Sequence, residues 1–278
     1  MRKTMLFVAA CLLSIAASAQ VLEVVSMQQL PIAAKAEMKV AGVSPDGSYL
    51  LLTSGSNKGL QRYDLESQTL TTITDAAGAG YNVQVSNNGK EIVYRETSFN
   101  RNNLRENKIV RLNMYNERRN TIARAQRDMK QMVTTDAHIT VTIEDRMIAL
   151  TKNGKTTILA PNGNNESYIW PSISPDGTKL CYYVCGNGCW VANLDGSGKQ
   201  YIGYGVQAAK WYDNNTLVAM DSEDDGHFTT ASAIVAYTLD GKKQVLTDKS
   251  MIAMYPYTTS NAVVFSTSDG EIYVLNVK

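Results

Sequence analysis

Only two of the 278 residues are histidine, His138 and His227, and only four are cysteine. Two imidazoles are too few for a metal centre of the several-histidine kind, so a metal would have to rest on carboxylates. The acidic run Asp221-Ser222-Glu223-Asp224-Asp225-Gly226-His227 is the one feature of that type. It lacks the twelve-position spacing of an EF-hand, and a solvated acidic loop is the plainer reading, so no metal and no cofactor are expected. There is no Gly-x-Ser-x-Gly elbow to announce a nucleophilic serine. An excess of one charge is missing too, with 27 Lys and Arg against 26 Asp and Glu. Without a large field of one sign, nothing steers the chain toward nucleic acid or anionic lipid. No Pro-, Gly- or Ser-rich linker divides the sequence, whose length is one that closed β architectures reach as a single domain.

Long apolar runs are absent except at the start. Arg2 and Lys3 precede an almost unbroken apolar run over 5–17, and Ala17-Ser18-Ala19 offers the small residues of a cleavage site. A signal peptide over 1–19 is expected, leaving a single domain over 20–278 that begins at Gln20. The run is shorter than the roughly 20 apolar residues needed to cross a bilayer. Cys11 lies inside it, which argues against a lipid anchor. The expected product is a soluble monomer in the periplasm, or secreted, with no membrane span. Three cysteines then remain. Cys185-Gly186-Asn187-Gly188-Cys189 reads as a turn between two strands, and in an oxidising compartment a Cys185–Cys189 bridge is expected. Cys181 lies about 13 Å from Cys185 along a regular strand, too far to pair with it. The spacing of the three suits no common zinc ligand set.

What the sequence has is a repeat. Val43-Ser44-Pro45-Asp46-Gly47 recurs as Val85-Ser86-Asn87-Asn88-Gly89 and as Ile173-Ser174-Pro175-Asp176-Gly177, each followed by an apolar, β-rich segment. Pro presets the second turn position, Asp bonds locally at the third, and Gly takes the left-handed position that returns the chain. Weaker copies centre on Asp213-Asn214-Asn215 and Ser260-Asn261, and the unit at 132–143 keeps only Asp136-Ala137. Third strands ending in polar turns follow, as in Arg62-Tyr63-Asp64 and Ala192-Asn193-Leu194-Asp195-Gly196. A period near 40 residues with four strands per unit means blades around an axis. The final repeat stops at its third strand, while Val21-Leu22-Glu23-Val24-Val25 precedes the first full repeat as an orphan strand. The expected fold is therefore all-β: a six-bladed β-propeller with four-stranded blades, closed by the mature N-terminal strand joining the last blade.

The Ser-Pro-Asp-Gly hairpin preceded by apolar or aromatic residues, as in Trp170-Pro171-Ser172-Ile173-Ser174-Pro175-Asp176-Gly177, resembles the TolB-like repeat of bacterial periplasmic propellers. The likeness covers nearly all of the mature chain and is one of fold. It implies a protein-interaction platform or the substrate-gating module of a prolyl-oligopeptidase-type enzyme. Neither a hydrolase domain after the last blade nor the N-terminal α/β domain of TolB proteins is expected here. Fold alone does not fix function.

A ligand is expected on the face that carries the loops between second and third strands. The two longest insertions, 96–108 with Phe99, Arg101 and Arg105, and 221–232 with Asp225, His227 and Phe228, belong to that class. The blade-entry aromatics Tyr81, Tyr168, Trp170 and Tyr255 are expected to point to the same face near the axis. Each taken singly reads as a wedge between blades. Together they suggest a polar-aromatic funnel for a glycan, a peptide or a loop of an envelope protein. The expected role is a non-catalytic protein-interaction or ligand-binding scaffold. The alternative is a polysaccharide- or peptide-acting enzyme, which requires carboxylates or a metal to converge at the funnel.

Overall fold

The computed structural model describes residues 21–32, 38–126 and 132–278. The expected signal peptide, 1–19, lies outside the described residues. Strand β1 is Val24–Gln29. Blade I holds β2 (Lys39–Val43), β3 (Tyr49–Thr53), β4 (Leu60–Asp64) and β5 (Thr69–Thr74). Blade II holds β6 (Gln84–Val85), β7 (Glu91–Phe99), β8 (Arg105–Asn113) and β9 (Arg119–Gln126). Blade III holds β10 (Ile139–Glu144), β11 (Met147–Lys152) and β12 (Lys155–Leu159). Blade IV follows with β13 (Tyr168–Ile173), β14 (Lys179–Val184), β15 (Gly188–Asn193) and β16 (Gln200–Gly203). Blade V has β17 (Gln207–Trp211), β18 (Thr216–Asp224), β19 (Thr229–Thr238) and β20 (Lys243–Val245). Blade VI has β21 (Ala253–Thr258), β22 (Ala262–Thr267) and β23 (Ile272–Val277), with β1 as its outer strand.

The second strand of a blade is pressed between both neighbours, so its sequence is continuously apolar instead of alternating. Every residue of Tyr49–Thr53 and of Ala262–Thr267 is buried, whereas the outer Thr69–Thr74 is mostly exposed. The core accordingly lies between blades. Leu51 and Tyr49 pack with Ile92 and Tyr94 between I and II, and Val263 and Phe265 pack with Val218 and Ile234 between V and VI. Between II and III the cluster shrinks to Val93, Ile109 and Met132.

The repeated turn shows why the motif recurs. Gly47, Gly89 and Gly177 stand at φ 73°, 68° and 67°, and their amides donate to Ser44, Ser86 and Ser174 carbonyls. The Ser hydroxyl, to which sequence reasoning gave no role, is buried and accepts the first amide of the next strand, as Ser44 Oγ does from Tyr49 at 3.0 Å. The degenerate unit keeps the turn. Ala137 N donates to Thr134 O, and Thr134 Oγ1 donates to Asp136 Oδ1 at 2.9 Å. Among the described residues blade III has the three strands β10, β11 and β12, and no inner strand precedes this turn.

Turn residues also tie blade to blade. Tyr49 Oη donates to Gly89 O, Asn88 N to Asp136 Oδ2, Asp176 N to Asn214 Oδ1, Tyr212 Oη to Ser260 O, and Ser260 N to Pro45 O. The last of these joins blade VI to blade I. The N-terminal segment sits in the same place. β1 pairs antiparallel with β23, from Val24 opposite Val277 to Gln29 opposite Tyr273. Leu22 is buried in the V–VI cluster and Leu30 in the VI–I cluster. Gln244 of blade V grips the segment, accepting from Val21 N and Leu22 N and donating to Leu22 O.

Candidate functional site

The inner strands of blades IV, V and VI share a β-bulge in which two residues oppose one. Trp170 and Pro171 oppose Tyr182, Ala208 and Ala209 oppose Ala219, and Tyr255 and Pro256 oppose Phe265. The first residue of each bulge is left-handed, with φ 50° at Trp170, 50° at Ala208 and 51° at Tyr255. Glycine is the usual occupant of such a position, because a Cβ there collides with backbone. For Trp, Ala and Tyr the conformation costs roughly 1–3 kcal/mol each. Bonds between inner strands hold it in place. Ser172 Oγ donates to Ala209 O, Thr258 Oγ1 to Trp211 O, and Tyr257 Oη to Ala41 O.

The bulges surround a cavity of ≈ 170 Å³ at the axis, on the face that carries the connections between second and third strands. Trp170 and Tyr255 enter from blades IV and VI, with the methyl of Ala208 between them, and Lys210, Tyr257, Lys39, Asn57, Tyr81 and Asn82 complete most of the wall. Trp170 is fixed edge-on against Tyr183, ring centroids 5.4 Å apart. Lys39 donates to Gly55 O at 3.2 Å and lies over the Tyr255 ring, while Arg95 covers the Tyr81 ring at 4.3 Å. Lys210 lies over the Tyr257 ring at 5.2 Å. Burial holds the Lys210 ammonium below the usual lysine range, and pushes the Tyr257 phenol up to about 12. Gly80 admits no side chain, since a Cβ would fall on Thr53 Oγ1, whose hydroxyl donates to Gly59 O.

Of the residues expected at a funnel, Tyr81, Trp170 and Tyr255 line this cavity. Tyr168 does not. It is buried between blades III and IV against Tyr182, with its hydroxyl accepting from Asn162 N and donating to Gly163 O. The two long insertions are not loops. β7 and β8 pair on to Phe99 opposite Arg105, and β18 and β19 to Asp224 opposite Thr229. Arg101 is exposed in the tight turn between β7 and β8, and Phe99 and Phe228, 68 % and 77 % exposed, stand at the two hairpin ends. None of Phe99, Arg101, Arg105, Asp225, His227 and Phe228 is among the cavity-lining residues. The acidic run is absorbed locally. Asp225 Oδ1 accepts from His227 N and Phe228 N, which lowers its pKa, while Asp221 pairs with Lys243 at 2.8 Å and Glu223 with Lys249. The residues that sequence reasoning passed over are Lys39, Lys210, Tyr257 and Ala208. A lysine inside a short apolar inner strand, as in Ala208-Ala209-Lys210-Trp211, was the available signal.

The expected Cys185–Cys189 pairing gives way to a different neighbour. Tyr183 is opposite Cys189 and Cys181 opposite Val191, so Cys181 and Cys189 are diagonal partners on one face, with sulfurs 3.5 Å apart. Both are buried, Cys185 is exposed, and all three thiols are free.

The sequence matches no protein-family model and no curated protein. Its similarity to known proteins is structural. A protein assigned as TolB from Agrobacterium tumefaciens superposes with a TM-score of 0.56 at 17 % identity, over 87 % of this chain and 91 % of that one. An oligogalacturonate lyase in complex with manganese gives 0.48 at 14 % identity, over 85 % and 76 % of the two chains. An oligogalacturonate lyase from Vibrio parahaemolyticus gives 0.47 at 11 %, over 84 % and 76 %. At 17 % identity the likeness to the first of these is one of fold, that of a TolB-like β-propeller. Among the described residues, no helix is long and apolar enough to cross a membrane.

Proposed function

We propose that this chain is an exported, non-catalytic ligand-binding propeller of the cell envelope, and that the axial cavity is its binding site. The observation that carries this reading is the strain at Trp170, Ala208 and Tyr255. Unfavourable backbone that survives in a folded protein clusters where a particular side chain is needed, and all three residues line one cavity. The cavity is concave and aromatic-walled, and Lys39, Lys210, Asn57 and Asn82 bring polar groups to the same wall, a combination found in small-molecule and peptide-end sites. An enzyme working through carboxylates or a metal at the funnel would need acids or His227 there, whereas Asp225 and His227 lie at the end of a hairpin and no Asp, Glu or His is among the cavity-lining residues. Export rests on the expected signal peptide, and N-terminal sequencing of exported material should begin at Gln20.

The direct test is a thermal-shift panel of neutral and acidic sugars and short peptides, since a ligand of the native state raises its apparent stability. A ligand that shifts the parent protein should lose its effect in Trp170→Ala and Tyr255→Ala. A shift that survives both substitutions would place the site elsewhere.

A further inference from the structure

We propose that the axial cavity receives a single ring bearing a carboxylate, with the ring held between Trp170 and Tyr255 and the carboxylate on the Lys210 ammonium. This deepens the ligand-binding reading above and rests on it. Size comes first. A volume of ≈ 170 Å³, close to that of a cavity known to take a benzene-sized guest, gives room for one six-membered ring, with the rest of a larger ligand left to the open side. The walls come next. Trp170 and Tyr255 enter from blades on either side of blade V, and the residue between them, Ala208, carries only a methyl group. Two aromatic side chains on either side of a small one leave apolar wall and room for a flat or chair-shaped ring.

Charge selects the substituent. Lys210 belongs to β17, an inner strand whose other residues are Gln, Ala, Ala and Trp. Its ammonium faces a ring and, among the described residues, no hydrogen-bond acceptor or carboxylate pairs with it. The titratable group that acts on it is the Cys181 thiol. A partly desolvated charge without a partner is unfavourable, and an arriving anion relieves that cost at the moment of binding. Lys39, already engaged by Gly55 O, adds positive potential to the same wall, which carries no Asp or Glu. The anion fits a carboxylate better than a phosphate. No arginine fork and no helix N-terminus face the cavity, the features that hold a multiply charged phosphate. A ring with a carboxylate is shared by a uronic acid residue and by a C-terminal aromatic residue of a peptide.

Both sources can be tested on the full mature chain by calorimetry. D-glucuronate is titrated beside D-glucose, N-acetyl-L-phenylalanine beside N-acetyl-L-phenylalaninamide, and inorganic phosphate alone. The acid of at least one pair should bind about tenfold or more tightly than its neutral counterpart, the usual scale of a charge-assisted hydrogen bond. Lys210→Met should erase that advantage and leave binding of the neutral compound unchanged, while Lys210→Arg retains part of it. The pair that shows the effect identifies the source. Equal binding within both pairs overturns the carboxylate assignment and leaves the ligand-binding reading intact, as does tighter binding of phosphate than of either acid. No binding by any compound overturns both. A measurement on the unsubstituted chain guards against a misfolded variant: in lysine-labelled carbon NMR, the bound acid should raise the depressed Lys210 ionisation, and an unmoved ionisation contradicts the contact.

Discussion

The repeated turns and the inner-strand bulges meet the same backbone requirement in opposite ways. In the repeated turns that follow Ser44, Ser86 and Ser174, the left-handed position belongs to Gly47, Gly89 and Gly177, which take it without strain. In the bulges that line the cavity, Trp170, Ala208 and Tyr255 take it at φ 50°, 50° and 51°. In those turns glycine serves, because only the path of the chain matters there. A strained side chain is kept where the side chain itself is needed, and the bonds between inner strands hold it there. The turn face contributes cohesion, through its blade-to-blade hydrogen bonds, and the cavity face draws on that stability.

The comparison presumes a closed ring, and the largest expected effect comes from opening it. Deleting residues 21–30 removes β1 from β23 and takes Leu22 and Leu30 from two separate junctions. Each buried leucine is worth about 1.5–3 kcal/mol, before the lost strand pairing is counted. A fall in melting temperature of roughly 10 °C or more is expected in calorimetry. An unchanged melting temperature would show that the N-terminal segment only decorates blade VI.

A smaller effect sharpens the contrast between the faces. In Gly80→Ala at the cavity rim, the new methyl meets the buried Thr53 side chain, with a cost of roughly 2–3 kcal/mol. Gly177→Ala on the turn face meets only Ile139 Cδ1, at 3.2 Å, and its cost of roughly 1–2 kcal/mol comes mainly from φ. Urea denaturation of the two variants should rank them in that order. The reverse order would mean that the rim is softer than its contacts imply.

The same contrast explains what could be read in advance. A glycine at a turn declares a left-handed residue, so the turns, the blade count and the outer strand supplied by the N-terminus were all legible. A left-handed Trp or Tyr leaves no such trace, and Trp170 reads like any wedge residue. Tyr168, two positions earlier, reads the same way and is in fact a packing residue, because the bulge after Ile169 changes which way the strand presents its side chains. Lys39 opens one apolar inner strand and Lys210 interrupts another, but over five residues a single lysine stands out little. The hairpins at 96–108 and 221–232 were taken as loops because polar residues dominate them, yet pairing continues through those residues to tight turns. The proximity of Cys181 to Cys189 was not legible, because it runs diagonally across the strand pair, which sequence separation does not reveal.

Ala208 and Ala209 offer the most direct test of strain at the cavity. They are adjacent, both buried, and part of one bulge, but only Ala208 is left-handed. Replacing either with glycine removes one buried methyl and adds the same chain entropy, while only Ala208→Gly relieves a left-handed alanine, worth about 1–2 kcal/mol. Equilibrium denaturation should therefore find Ala209→Gly the more destabilised of the two by about 1 kcal/mol or more. Equal losses for the two variants would contradict the account, because the bulge would then hold no strain for a ligand site to explain.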